Sequence, residues 1–284
     1  MRICVAHETL FRYEISPVGV IQTLRLTPRN HDGQYVVDWR IDVSADDCRL
    51  DAQEDAFGNI VHAFSIGGPF TELRVFVEGE VETQDTAGVV RGTMERFPPS
   101  LFLRETTLTR ADDAILAYAA QLPKPEQPAG DGQGGGGNEL PMLHALLTRL
   151  REDMAYDADG PVSLTAAEAF AERRGRSPDL AHVFIAVARA IGVPARCVSG
   201  YFHAPDGNAP LDASHAWVEA YVPRLGWVGF DPANGFCVTD QYVRLAVGLD
   251  YLGAAPVRGA HYGGGAEAHA VKLMVTQASW QAQG

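Results

Sequence analysis

Three residues that could share one chemistry lie in the second half of the chain: Ser177, His215 and Asp231. Ser177 opens the stretch GRSPDLAHVFIAVARAIGVPAR, residues 175–196. Its apolar positions Leu180, Val183, Phe184, Val187, Ala188 and Ile191 recur at helical spacing, and Gly192 and Pro194 end the run. Serine at the N-cap with proline just behind it is what a helix start prefers, so Ser177 alone reads as a cap. The segments that follow, ARCVSGYF, SHAWVEAYV and GWVGFDP, read as strands, and PRLG joins the last two as a hairpin. His215 begins the first hairpin strand and Asp231 ends the second. A side chain at a helix N-terminus, an imidazole on a neighbouring strand and a carboxylate beyond it form a set suited to nucleophilic acyl transfer. The helix start supplies N–H groups to an oxyanion, the histidine moves the proton, and the aspartate fixes its tautomer.

Whether His215 and Asp231 can cooperate depends on hairpin register. Opposed residues of an antiparallel pair share a face, and their numbers sum to a constant. A four-residue loop, Pro223 to Gly226, would pair Val222 with Trp227 and send His215 and Asp231 to opposite faces. A five-residue connection would pair Trp217 with Asp231 and leave His215 two residues away on the same face. The second register is the expected one.

The elements that must hold this set divide the chain into three parts. Residues 1–105 alternate with period two. In QYVVDWRIDV, Tyr35, Val37, Trp39, Ile41 and Val43 share a parity, as do Leu73, Val75, Val77 and Val81 in TELRVFVEGEVET. With DGQ, FGN and GGP between such runs, an antiparallel sandwich-like β domain is predicted. Residues 106–138 hold a short helix in RADDAILAYAAQL and then a proline- and glycine-rich linker, which has no GK[ST] and is not a phosphate loop. Residues 139–284 form the second domain. It starts with an amphipathic helix carrying Leu140, Leu143, Leu147, Leu150 and Met154, and a capping box, TAAE, opens the next helix. That helix should end with Gly175 as its left-handed cap. A C-terminal strand carries Val271, Leu273 and Val275. The fold class is α+β.

The chain has 284 residues and a net charge of −13, from 23 basic and 36 acidic side chains. No basic stripe argues for nucleic acid or an anionic membrane surface. The N-terminus lacks a signal-peptide apolar run and no membrane-length apolar stretch occurs, so a cytoplasmic location is expected. The four cysteines are scattered without CxxC spacing, which points to buried thiols rather than zinc or disulfides. No metal or cofactor is expected, and no calcium-loop pattern occurs.

The combined motifs PDLAHVFIAVARAIGVPAR, SHAWVEAYVPRLGWVGFDPANG and AVGLDYLGAAPVRG resemble the bacterial transglutaminase-like family, cysteine-protease-like proteins of the transglutaminase core superfamily. HETLFRYEISPV and DAFGNIVHAFSI resemble the β domain that precedes the core in that family. The resemblance implies a papain- or transglutaminase-like core, a helix packed on an antiparallel sheet. It also implies a Cys-His-Asp triad acting on a peptide or protein amide substrate, by hydrolysis or transamidation. The family's histidine falls on His215, its aspartate on Asp231 and its cysteine on Ser177, where the family's GVCQD reads GRSPD. Serine is a far weaker nucleophile than thiolate. Three readings therefore stand: a non-catalytic relative that still binds a peptide or amide, a Cys→Ser variant of an active enzyme, or a serine nucleophile. Trp217 and Trp227 alternate with the triad positions and could wall a substrate cleft, although sheet packing is the simpler expectation. His182 reads as a satisfied core histidine, Asn234 as a turn residue and Cys197 as a packing residue. His7 and His62 have no metal-ligand partners at suitable spacing.

Overall fold

The computed structural model describes residues 1–45, 48–122, 139–160, 163–204 and 214–278. The expected linker at 123–138 lies outside the described residues. The first part of the chain supplies β1 (Arg2–Tyr13), β2 (Gly19–Thr27), β3 (Gln34–Val43), β4 (Ala52–Glu54), β5 (Ile60–Gly67), β6 (Glu72–Thr83) and β7 (Val89–Val90). After a 3-10 turn at Pro99–Leu103 come α1 (Asp113–Ala119), α2 (Glu139–Asp153), β8 (Ala155–Tyr156), α3 (Ala166–Glu172) and β9 (Arg174–Gly175). Then follow α4 (Ser177–Ala190), β10 (Ala195–Phe202), β11 (His215–Val222), β12 (Gly226–Asp231), β13 (Phe236–Cys237) and β14 (Tyr242–Gly248). The chain ends with α5 (Tyr251–Ala254), β15 (Val257–Tyr262) and β16 (Glu267–Gln277).

Two four-stranded antiparallel sheets, ordered β16-β1-β6-β3 and β15-β2-β5-β4, form a sandwich. Alternate residues of each fill the space between them, among them Ile3, Val5, Val75, Val77, Leu24, Leu26 and Phe64. The period-two pattern read from β3 slips: a bulge between Val36 and Asp38 changes the facing, so Tyr35 and Val37 are exposed while Trp39, Ile41 and Val43 are half-buried. The two edge strands β15 and β16 come from the C-terminus. Val271, Leu273 and Val275 therefore belong to a strand paired with β1 along its length, rather than to the core of the second domain. Conversely, β7 from the first hundred residues pairs with β12. The two halves are laced together at both ends.

The second sheet system runs β13-β12-β11-β10-β14, and α4 packs on one face of it. A helix that is apolar all round must be buried. α4, with its sequence SPDLAHVFIAVARA, lies in the larger core, which it shares with Cys197, Val218, Ala220, Val228 and Phe230 of the sheet and Leu143, Leu147 and Phe170 of its neighbouring helices. Arg189, in its last turn, is also buried, because it donates to the carbonyls of Phe102, Ala195 and Leu249 and to Thr109 Oγ1 at 2.7–3.2 Å. The TAAE capping box is present, with Thr165 and Glu168 bonding reciprocally. The left-handed residue ending α3 is Arg173 (φ 54°), not Gly175. Gly175 serves close packing instead. A Cβ on it would stand 2.7 Å from Asp179 Cβ, so its lack of a side chain lets β9 press against the start of α4.

Candidate active site

The N-terminus of α4 lies one residue earlier than the sequence suggests. Arg176, in extended conformation, is the N-cap, and Ser177 is the first helical residue. The capping is done by Asp179, whose carboxylate accepts the Arg176 N–H at 2.9 Å and the Leu164 N–H at 3.0 Å. Burial raises the pKa of that carboxyl, and the two backbone donors and Arg176 pull against the rise. The expectation that Ser177 caps the helix is therefore corrected. With Asp179 filling that role, the Ser177 hydroxyl is free to point elsewhere, and its Oγ accepts the backbone N–H of Ala216 at 3.2 Å. Ser177 is thus held against the start of β11, beside His215.

The β11–β12 hairpin has the register expected for cooperation. Val218 pairs with Phe230 and Val222 with Gly226, a constant sum that places Trp217 opposite Asp231 and His215 two residues further on the same face. The turn achieves this with Arg224 (φ 71°) and Gly226 (φ 94°) in left-handed conformations. His215 Nε2 lies 2.5 Å from Asp231 Oδ2. With that nitrogen donating to the carboxylate, Nδ1 carries the free lone pair.

Asp231 is fully buried, and its acceptor capacity is filled. Oδ2 also accepts Tyr242 O–H and Asn234 Nδ2, both at 2.7 Å, and Oδ1 accepts the backbone N–H groups of Ala233 and Asn234 at 2.9 and 3.1 Å. Burial pushes its carboxyl up, but the charge and hydrogen bond of His215, with those from Tyr242 and Asn234, outweigh it and hold the group below its usual value. Burial beside that same carboxylate pushes the Tyr242 phenol far up. Tyr242 escapes sequence reasoning and leaves no local signal, since it comes from β14, which β10 and β11 separate from β12 in sheet order. Asn234 is the expected turn residue, and it is also a hydrogen-bond donor to Asp231. The DPAN spacing of an Asx turn is the available clue.

Trp217 and Trp227 prove to be packing residues. Trp217 is 1% exposed and packs edge-on to Tyr242, and Trp227 is 4% exposed, edge-on to Phe102 and under the Arg196 guanidinium. Neither lines the cavity that reaches Ser177 and His215. Gly200, opposite His215 in the register, is what makes room for the Trp217 ring, because a Cβ there would lie 2.6 Å from Trp217 Cη2. His182 sits inside α4, with Nε2 accepting the Tyr251 N–H at 3.0 Å, and burial lowers its pKa to about 4. Cys197 faces the α4 side of β10, and burial raises its thiol pKa.

The cavity has a volume of about 630 Å3. It runs from Ser177 and His215, past Tyr156 and Tyr251, to residues on β1, β2, β15 and β16 of the sandwich. Ligand pockets are commonly of this size. Among the described residues, no cluster of histidine, cysteine and acidic side chains could hold a metal ion.

Both halves of the chain are similar to known proteins. Residues 3–82 match the bacterial transglutaminase-like N-terminal region, and residues 128–232 match the transglutaminase-like superfamily. The Mycobacterium leprae protein ML0607 is 30% identical over 290 residues, spanning 97% of this chain and 99% of that protein. The chain belongs to the bacterial transglutaminase-like family. Over 142 residues, 43% of this chain, the transglutaminase-like protein is 34% identical to a protein-glutamine gamma-glutamyltransferase of Pseudomonas aeruginosa, covering 20% of that protein. A solved structure described as a putative cysteine protease from Cytophaga hutchinsonii has the same fold. It aligns with a TM-score of 0.74 at 18% identity, over 99% of this chain and 92% of the other.

Proposed function

We propose that this transglutaminase-like protein is organised to transfer the acyl group of a peptide or isopeptide amide, with Ser177 in the nucleophile's place. The observation that carries the reading is the His215–Asp231 pair, its carboxylate buried and fully hydrogen-bonded, set beside the first residue of α4. In the step this supports, His215 Nδ1 takes the Ser177 hydroxyl proton as Oγ bonds to the amide carbon. The carbonyl π electrons move onto oxygen, and the Ser177 N–H, which at the first helical position has no intrahelical partner, is placed to donate to that oxyanion. Collapse of the adduct breaks the C–N bond, and His215 returns the proton to the leaving amine. Water or an amine then takes the acyl group by the reverse sequence. Asp231 keeps Nε2 protonated throughout. This chemistry needs no cofactor.

One observation favours a second reading, an amide-binding protein without turnover. The one hydrogen bond to Ser177 Oγ among the described residues comes from Ala216, not from His215. Ser177→Cys separates the readings. The helix N-terminus and His215 should lower an introduced thiol's pKa well below the ordinary value of about 8.5. Alkylation by iodoacetamide, followed across pH by peptide mass spectrometry, should then be fast below pH 8 and should lose that advantage when His215→Ala is added. A thiol that titrates ordinarily and ignores His215 overturns the acyl-transfer reading and leaves the binding one.

A further inference from the structure

The sandwich ends in edge strands on both sides: β16 and β3 bound one sheet, β15 and β4 the other. An edge strand presents a row of unpaired main-chain groups, and proteins usually guard it with a bulge, a cover or a short length. β3 has a bulge between Val36 and Asp38, and Ala45, Cys48 and Leu50 beyond it pack on the same core. β4 is three residues long, and β15 is six residues long with Gly259 inside it. β16 differs. It runs for eleven residues and pairs with β1 without a break in register.

The ladder with β1 fixes which main-chain groups of β16 are used. The Glu14 N–H donates to Ala266 O at 3.0 Å at one end, and the Ala278 N–H to Arg2 O at 2.9 Å at the other. Both pairs are even-numbered members of one register, and in an antiparallel ladder every second pair exchanges hydrogen bonds. The even-numbered residues of β16 therefore bond to β1, and the odd-numbered ones aim N–H and C=O away from it. Val275 O accepts from His203 Nδ1 at 3.1 Å. The outward groups of Glu267, His269, Val271 and Leu273 have no partner among the described residues.

We propose that this rim is a dimer interface: β16 pairs antiparallel with β16 of a second copy of the chain across a twofold axis, joining two four-stranded sheets into one. Outward groups can meet only outward groups, so odd-numbered residues must face odd-numbered ones. Within that rule, Lys272 and Val275 choose the register. A pairing centred on Lys272 would set two ammonium groups directly opposite each other, which is destabilising. One centred on Val271 would bring Glu267 to Val275, whose carbonyl is already taken. Centred on Ala270, the pairing sets Lys272 against Ala268, Glu267 against Leu273 and His269 against Val271. Every open residue of the rim is then used, for about eight main-chain hydrogen bonds. The charges agree. The chain carries a net −13, so two copies repel over most of their surface. In β16 one acid, Glu267, balances one lysine, Lys272, and the rest of its exposed outer face is Ala268, Ala270, Met274 and Thr276. Paired residues share a face, so the second copy's Val271 and Leu273 extend the wall that the same residues of this chain give the cavity. The interface does not depend on the acyl-transfer reading.

The test weighs the full-length protein by light scattering after size-exclusion chromatography, over a range of chain and salt concentrations. A dimer is expected, and it should tighten as salt screens the repulsion between copies. Ala270→Lys adds an ammonium at the axis, at a position exposed in the single chain, and should return the protein to monomer with its far-ultraviolet circular dichroism unchanged. Val271→Pro removes an outward N–H and none from the ladder with β1, and should do the same. Cross-linking reads the register. In the proposed pairing Ala270 faces its own copy in a non-hydrogen-bonded pair, with Cα atoms about 4.5 Å apart, within reach of a disulfide. With diamide as oxidant, Ala270→Cys should therefore give a disulfide-linked dimer at least about tenfold faster than Met274→Cys, which is exposed on the same face but does not meet itself. A monomeric mass at every concentration, a dimer that ignores Ala270→Lys, or equal cross-linking of the two cysteine variants overturns the proposal.

Discussion

Glu219 offers the sharpest test of how β11 is held in place. It lies four residues along the strand from His215, on the same face, and is fully buried. Its Oε2 accepts Arg196 Nε at 2.7 Å and Arg244 at 3.1 Å, and its Oε1 accepts Arg244 Nε at 2.7 Å. Burial alone would raise this carboxyl, but the guanidiniums of Arg244 and Arg196 win and bring its pKa from 4.5 to about 2. Glu219→Gln keeps the shape and removes the charge, leaving two guanidiniums on a neutral amide. Breaking a buried pair costs about 3–5 kcal/mol. Arg196 retains Glu95 at 2.7 and 2.9 Å, which argues for the lower end. The titration gives the same size. At about 1.4 kcal/mol per pH unit, a carboxyl lowered from 4.5 to about 2 contributes about 3 kcal/mol. Because the folded pKa is depressed, that contribution is complete above pH 4.5 and is lost as the pH falls towards 2. Urea unfolding of both proteins at pH 7 and at steps below pH 5 should show the variant about 3 kcal/mol less stable at neutral pH, with the gap closing in acid. A neutral-pH gap below about 1 kcal/mol, the size of an ordinary hydrogen bond, or a gap that ignores pH, would refute the argument.

Two further substitutions probe the site's supports. Tyr242→Phe deletes the 2.7 Å hydrogen bond to Asp231 Oδ2. Bonds to charged acceptors contribute about 1.5–3 kcal/mol, so the Asp231 carboxyl should rise and the alkylation profile of Ser177→Cys should move to higher pH, whereas an unmoved profile would show that the phenol does not support the pair. Gly175→Ala drives a methyl to 2.7 Å from Asp179 Cβ. It should cost about 1–3 kcal/mol in urea unfolding by disturbing the cap of α4, and an unchanged midpoint would mean that the cap yields freely.

The parts of this structure legible in the sequence are those set by local rules. The helix of α4 follows from an apolar period ended by Gly192 and Pro194, whereas the His215–Asp231 register is expected only if the two cooperate, and it is reached by a three-residue turn, 223–225, rather than a five-residue one. The α+β class follows from alternation giving way to helical spacing. What could not be read depends on pairing at long range. β15 and β16 alternate as any strand does, and nothing in VRGAHY or EAHAVKLMVTQ says that their partners are β2 and β1. Tyr242 reaches Asp231 across a sheet in which β11 and β10 lie between β12 and β14. The N-cap falls one residue before its expected place: Asp179 caps Arg176 from the third helical position, and the Ser177 hydroxyl instead accepts Ala216 N–H, 39 residues away.

The retained acid bears on what the site is for. A buried carboxylate with five donors is costly to assemble, and an apolar replacement of similar volume is often neutral or stabilising. Here the carboxylate draws on a histidine, a tyrosine from another strand and an asparagine side chain, and it orders the turn after β12 through two backbone N–H groups. The turn contacts alone would explain Asp231 as a structural residue, because Oδ1 satisfies them. They do not explain Oδ2, which faces His215, nor why the imidazole lines a cavity instead of packing in the core as His182 does. A purely structural pair would be served by any donor to Oδ2, and Tyr242 and Asn234 already supply two. The imidazole adds one property that those donors lack: a second nitrogen, Nδ1, that can accept a proton while Nε2 stays bonded to the carboxylate. On the proposed reading that property serves to take a proton from the Ser177 hydroxyl, whose Oγ is held at the start of β11 by the Ala216 N–H.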